Sequence, residues 1–268
     1  MKEKFIKLIL EKLSSNEDNY SRQFLESNSE VGTRYLIVDD LLSEDLCNSI
    51  HSKFPSLDSM RFMSSFREKK YTTKNLSQSN SIMRDITFAF QDVRVVALIE
   101  SITSIRNQVP DDSLYAGGLS TMTFNNYLMP HIDNSHNEER SLYRTLNLLY
   151  YVTPNWKIEY GGNLQLWDSK VMQNVTIHSK FNRLVLMETN PSSWHSVDKV
   201  NTDGERSCVS NYYFSPISPT GNHYSNVTSF SALPDQKFLR LWSKIDAFGR
   251  QTLRLLIPRG IGKKDTYE

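Results

Sequence analysis

The sequence predicts an α+β fold, a β-rich core preceded and followed by helices, and three observations carry that expectation. Between positions 81 and 107 the apolar residues Ile82, Ile86, Phe90, Val93 and Ala97 recur at helical spacing. After Pro110 the pattern changes to short β-prone runs separated by turn chemistry such as Thr153-Pro154-Asn155, Gly161-Gly162 and Asn190-Pro191. Many short strands at modest spacing mean a sandwich or a barrel. Helical spacing then returns over 235–257 through Phe238, Leu241, Trp242, Ile245, Phe248 and Leu255. With 268 residues the chain can bury a sizeable core, as one core domain with added helices.

At the N-terminus, "MKEKFIKLILEKLSSNEDNY" reads as a short amphipathic helix. Lys7, Glu11 and Lys12 interrupt its apolar run and no small-residue cleavage site follows, which argues against a signal peptide. No uninterrupted apolar stretch approaches the ~20 residues that span a bilayer. Residues 35–38, "YLIV", predict a strand. Ser43 then stands as an N-cap before Glu44 and Asp45, with Leu46, Ile50 and Phe54 at i+4 spacing, which predicts a helix over 44–53. Residues 62–80 are polar without a sustained period and predict a long loop, either a solvated connection or a cover for a site. One long helix, or two, follows over 81–107. Strands are expected over 119–126, 143–152, 163–167, 171–178, 183–188 and 205–214.

Composition narrows the function classes. With 31 Lys+Arg against 30 Asp+Glu, the overall balance offers no case for nucleic acid as a partner. Cys47 and Cys208 are too few for a disulfide framework and fall inside apolar patterns, so buried free thiols are expected and a cytoplasmic location fits. The stretch 237–264 holds eight Lys or Arg and a single acid, Asp246. Such a basic amphipathic helix either packs its apolar face on the core or contacts an anionic surface, a carrier protein, a phosphorylated or lipid-linked substrate, or a second copy at a dimer interface.

The chemistry concentrates in "YLMPHIDNSHNEER", residues 127–140. In an extended strand, positions i and i+2 share a face, so His131 and Asp133 can aim one nitrogen and one oxygen at a common point. His195, in "SSWHSVDKV", supplies a third ligand. Two histidines and one carboxylate with open positions suit a non-haem Fe(II) oxygenase site, and zinc can take the same three ligands. Arg206 opens the last strand, and an arginine beside a metal can hold the far end of a dicarboxylate by a bidentate pair. Ser210 shares its strand face. On the strand 143–152, Thr145 and Asn147 alternate with leucines, so one polar face is a candidate cavity lining. His136 reads either as a substrate contact or as a solvated loop histidine.

The ordered set H-x-D, Gly-Gly-x-Leu, His and Arg resembles the Fe(II)/2-oxoglutarate-dependent dioxygenases, in particular their prolyl 4-hydroxylase-like branch. The resemblance runs from "LIVDDLLSEDLCNSI" through "RTLNLLYYVTPNW" and "YGGNLQLWD" to "ERSCVSNYYFS". It implies a double-stranded β-helix (jelly-roll) over 35–216, flanked by an N-terminal helical extension (1–34) and a C-terminal basic helix and tail (217–268). It implies Fe(II) on His131, Asp133 and His195, and 2-oxoglutarate on Arg206 with Tyr127 and Ser210 nearby. It further implies O₂ as co-reactant, ascorbate as an accessory reductant, and hydroxylation of an unactivated C–H bond with decarboxylation of 2-oxoglutarate to succinate. The expected substrate is a prolyl peptide, free amino acid, sugar or natural-product intermediate. Asp133 disfavours halogenation, because the family's halogenases carry a small residue there. The competing expectation is a catalytically idle barrel used as a binding module, which has no need of the triad and the arginine.

Overall fold

Side-chain alternation along the central strands decides where the core lies. The computed structural model describes residues 1–27, 31–111, 113–115, 117–236, 238–240 and 249. Its strands are β1 (Tyr35–Val38), β2 (Arg61–Ser64), β3 (Glu68–Thr72), β4 (Val109–Pro110), β5 (Gly118–Met122), β6 (Tyr127–Ile132) and β7 (Tyr143–Tyr151). They continue with β8 (Leu164–Trp167), β9 (Asn174–Ile177), β10 (Arg183–Glu188), β11 (His195–Val197), β12 (Arg206–Ser215) and β13 (Ser229–Phe230). The order across the antiparallel sheet is β1-β10-β7-β12-β5-β3-β6-β11-β8-β9, with β2 on β3, β4 on β12 and β13 on β6. Leu146, Leu148 and Tyr150 of β7, with Leu184 and Leu186 of β10, face the helices. Their neighbours Tyr151, Val185 and Met187 face the other way and meet Leu164, Leu166 and Ile177 of β8 and β9. The sheet therefore curls until its two halves pack on each other, the jelly-roll that the family resemblance implies.

The helices are α1 (Lys2–Ser14), α2 (Glu17–Glu26), α3 (Glu44–Ser52), α4 (Ser81–Phe90) and α5 (Val93–Thr103). The expected single N-terminal helix is two. Ser14 and Ser15 hydrogen-bond back to the Glu11 and Lys12 carbonyls, and Asn16 leaves the helical region before α2 begins. Phe5, Ile6, Ile9 and Leu13 of α1 and Phe24 of α2 bury in the same cluster as Leu36 and Val38 of β1, so this extension completes the core. Asn80 and Asp92 cap α4 and α5 with their side chains. Ser43 stands at the N-cap of α3 with extended dihedrals, but its side chain makes no cap bond.

The expected loop over 62–80 is instead a hairpin, β2–β3, followed by a short 3₁₀ turn at Leu76–Gln78. β3 lies between β5 and β6, pairing Tyr71 and Thr72 with one and Glu68 and Lys69 with the other. Tertiary pairing overrides the weak propensity of its Lys- and Ser-rich sequence. Of the helix expected over 235–257, only 235–236, 238–240 and 249 are among the described residues, helical at 238–240 and 249; the rest lies outside them. Among the described residues, no helix is long and apolar enough to cross a membrane. Cys47 and Cys208 are free and buried.

A paired carboxylate ties the start of the sheet together. Arg183 donates to both Asp39 oxygens, at 2.6 and 2.9 Å, joining the end of β1 to β10. These bonds hold the Asp39 carboxyl below its ordinary value, so the stabilisation is complete above about pH 4 and is lost as the pH falls through the depressed value. Because the pair is partly exposed, Asp39→Asn should cost only about 1 kcal/mol at pH 7, or about 2–4 °C in Tm. Thermal melts of both proteins should converge as the buffer is taken toward pH 3; a gap that widens there would contradict the pairing.

Candidate active site

Two adjacent strands bring the three candidate ligands together. β11 pairs with β6 so that His195 lies opposite His131, and Asp133 follows one residue past the end of β6. The Nε2 atoms of His131 and His195 lie 3.5 and 3.7 Å from the Asp133 oxygens. All three ligand atoms are within 4.8 Å of one another, and all three residues are buried. Each histidine places Nδ1 2.9 Å from the carbonyl two residues earlier, Met129 for His131 and Ser193 for His195. A carbonyl only accepts, so Nδ1 carries the proton and the Nε2 lone pairs are left to face Asp133.

Electrostatics keep the donor set in ligand form. Burial opposes ionisation of Asp133, but Arg144, whose Nη1 lies 3.4 Å from Oδ2, outweighs it together with His195 and His131, and the carboxyl is held well below its usual range. Burial, reinforced by the neighbouring His131, pushes His195 down to about 4, so it is a neutral imidazole at pH 7. Asp133 Oδ2 and Arg206 Nε are buried without a hydrogen-bond partner among the described residues. A cation at the triad and a carboxylate at Arg206 would satisfy both, so the residues present fit Fe(II) and 2-oxoglutarate.

These groups share a cavity of about 320 Å³. Arg206, Cys208, Ser210 and Tyr212 line it from alternate positions of β12, and Asn147, Leu149 and Tyr151 from β7. Arg206 is 4% exposed; Nη2 contacts Met122 Sδ and the guanidinium lies 5.4 Å from the Tyr151 ring centroid. Among the described residues it makes no salt bridge, which leaves its charge available to a ligand. Room for it depends on Gly162, at φ +69°, where a Cβ would stand 3.3 Å from Arg206 Nε. The Gly161-Gly162 pair is thus a turn with a second purpose.

The structure brings some of the expected residues to the cavity and leaves others away from it. Asn147 lines the cavity with Oδ1 unsatisfied. Thr145 does not line it: a bulge between Tyr213 and Phe214 displaces Thr145, whose hydroxyl donates instead to Gln108 Oε1 and the Tyr213 carbonyl. Tyr127 does not line it either, because its hydroxyl reaches the Ser65 and Phe66 carbonyls at the hairpin tip. His136 is neither a solvated loop residue nor a cavity residue. It is 6% exposed, bonded through Nδ1 to Ser135 Oγ at 2.7 Å and packed on Tyr143. Arg144 went unrecognised, although a charge inside the apolar run "YRTLNLLYY" was a signal that it must have a buried partner. The β2–β3 hairpin also contributes Arg61, Met63, Glu68, Lys70 and Thr72 to the walls, with Lys70 3.0 Å from Glu68.

The sequence pattern of the 2OG-Fe(II) oxygenase superfamily matches residues 117–214, the span that carries His131, Asp133, His195 and Arg206. Over that span the chain is similar to the 2OG-Fe(II) oxygenases. Its fold is that of the prolyl hydroxylases: one from Trichoplax adhaerens, in complex with a hypoxia inducible factor peptide, is 18% identical with a TM-score of 0.56, covering 75% of this chain and 91% of that one. A Pseudomonas putida prolyl-4-hydroxylase is 11% identical with a TM-score of 0.55, covering 73% and 98%. One from Phytophthora capsici, 14% identical with a TM-score of 0.54, covers 92% and 86%. No curated protein matches the chain. The match over 117–214 and the His131-Asp133-His195 cluster together support an enzyme that uses Fe(II) and 2-oxoglutarate.

Proposed function

We propose that this oxygenase hydroxylates an unactivated C–H bond of a peptide or small molecule, with His131, Asp133 and His195 holding Fe(II) and Arg206 and Ser210 binding the distal carboxylate of 2-oxoglutarate. The observation that carries this reading is the meeting of three ligand atoms and a buried arginine in a single cavity. When bound, Fe(II) and 2-oxoglutarate supply O₂ activation coupled to decarboxylation of the co-substrate to succinate. The chain's own residues do the rest. The Met129 and Ser193 carbonyls fix the imidazole tautomers, and Arg144 keeps Asp133 ionised. Arg206 orients the dicarboxylate by a charge-assisted pair in a site screened from water. Asn147 Oδ1, unsatisfied in the wall, is an acceptor for co-substrate or substrate, and the charged hairpin residues Glu68 and Lys70 face the remaining space.

The substrate class stays open between a prolyl peptide, an amino acid, a sugar and a natural-product intermediate, and the fold likeness to prolyl hydroxylases supports the first. Two buried free thiols suit a reducing cytoplasm. The C-terminal basic stretch is proposed as a contact for an anionic surface or carrier, on its charge alone. Incubating the enzyme with Fe(II), 2-oxoglutarate and ascorbate against a panel from these classes should yield succinate in step with a product one oxygen heavier. Succinate formation that no panel member stimulates would remove this set of substrates. Products that have lost two hydrogens without gaining oxygen would replace hydroxylation with another oxidation.

A further inference from the structure

We propose that residues 226–231, a strap lying outside the span that matches the superfamily, position the metal ligands, with Asn226 and Phe230 as the positioning residues. The inference rests on the ligand set proposed above. Asp133 needs such help because it lies off the strand ladder: β6 last pairs with β11 at His131. The strap supplies the missing partners. Asn226 Nδ2 donates to the Asp133 carbonyl at 2.8 Å, the Asn226 N–H donates to Ser135 Oγ at 2.8 Å, and its carbonyl accepts from the Ser135 N–H at 3.0 Å. The backbone is thereby pinned at the ligand and two residues beyond it.

The same strap then forms β13, pairing Ser229 with Ile132 and Phe230 with His131. The Phe230 ring lies 5.3 Å from the His131 ring at an interplanar angle of 21°, and the Arg67 guanidinium from the β2–β3 hairpin lies 5.7 Å from the Phe230 centroid. Ser231 closes the strap with a 2.7 Å bond from its N–H to the Pro130 carbonyl. A ring laid against one ligand and an amide on the backbone of another limit the directions in which Nε2 and the carboxylate can point. Partners that orient metal ligands typically affect metal affinity by about 10–100-fold. Asn226 and Phe230 act on backbone and ring face rather than on ligand atoms, so the lower end is expected.

The test is a Mn(II) titration of the full chain, with the free ion followed by electron paramagnetic resonance, on wild type, Asn226→Asp, Phe230→Ala and Phe230→Leu. Asn226→Asp keeps the size of the side chain but removes its donor; Phe230→Leu keeps an apolar cover should the alanine variant fail to fold. Asn226→Asp and Phe230→Ala should each raise the Kd about ten-fold, with Phe230→Leu between them and wild type. The affinity for 2-oxoglutarate at saturating Mn(II) should stay close to wild type. Unchanged Mn(II) affinity in Asn226→Asp and Phe230→Leu, whatever their metal-free Tm, would reduce the strap to packing and overturn the proposal. A wild-type protein that binds no Mn(II) would instead sink the ligand set, and the strap's role with it.

Discussion

Replacing His131 or His195 by alanine should abolish Fe(II)-dependent turnover of 2-oxoglutarate while leaving the fold intact. Two remaining ligands hold a divalent ion poorly, and the loss should exceed the ~100-fold at the top of the range for outer partners. Either substitution leaves Asp133 paired with Arg144 and strands no buried charge, so metal-free Tm should move little. Asp133→Ala differs. It removes the same ligand capacity, but it also strands Arg144, which is 2% exposed and has no other salt bridge among the described residues. Breaking a buried pair from one side costs about 3–5 kcal/mol, softened here by the Tyr212 ring 4.1 Å from the guanidinium. The expected signature is therefore three inactive variants of which one is also thermally weakened. It is read by metal titration, succinate assay and melting curves together. Wild-type metal affinity in any of the three would remove that residue from the ligand set.

Arg206→Ala should raise the apparent KM for 2-oxoglutarate by about 10- to 150-fold, the equivalent of the 1.5–3 kcal/mol of a hydrogen-bonded charge pair. Metal affinity should change far less, because Arg206 touches Met122 and Tyr151 rather than a ligand. Arg206→Lys should recover only part of the loss, since a point charge replaces the planar fork. Lys199, the other nearby cation in the sequence, is exposed and does not line the cavity, so it offers no substitute. A KM that does not move would assign the carboxylate to another group, with Lys70 and Arg61 of the hairpin as the cations that share the cavity.

Much of this arrangement was legible before the coordinates. The alternation of Asn147 and Leu149 against Leu146 and Leu148 predicts which face of β7 turns inward, and the same counting places Arg206 and Ser210 on a common face. What escaped it has particular causes. Thr145 is expected in the wall by counting in twos, and a register shift in β7 breaks that count, whereas Tyr127 is expected there only from the family resemblance. Leu128 and His131 both line the cavity although they are three apart, and in β7 the pairing passes from Leu146 to Arg144, skipping Thr145. A bulge leaves no mark in hydrophobic periodicity. The β2–β3 hairpin was hidden for a different reason: its Lys- and Ser-rich strands are held by β5 and β6, and such long-range pairing overrides weak local propensity. The strap at 226–231 has no sequence signature at all, being fixed by one amide, one ring and a two-residue strand.

The central claim is that this chain holds Fe(II) and 2-oxoglutarate at one place, and anaerobic visible spectroscopy tests it most directly. Adding 2-oxoglutarate to the Fe(II) protein should produce a charge-transfer band that needs both components and saturates at one equivalent of each. The same titration should give no band in His131→Ala and a half-saturation point shifted to higher 2-oxoglutarate in Arg206→Ala. A band of undiminished intensity in His131→Ala, or its absence from wild-type protein shown to bind Fe(II), would contradict the site described above.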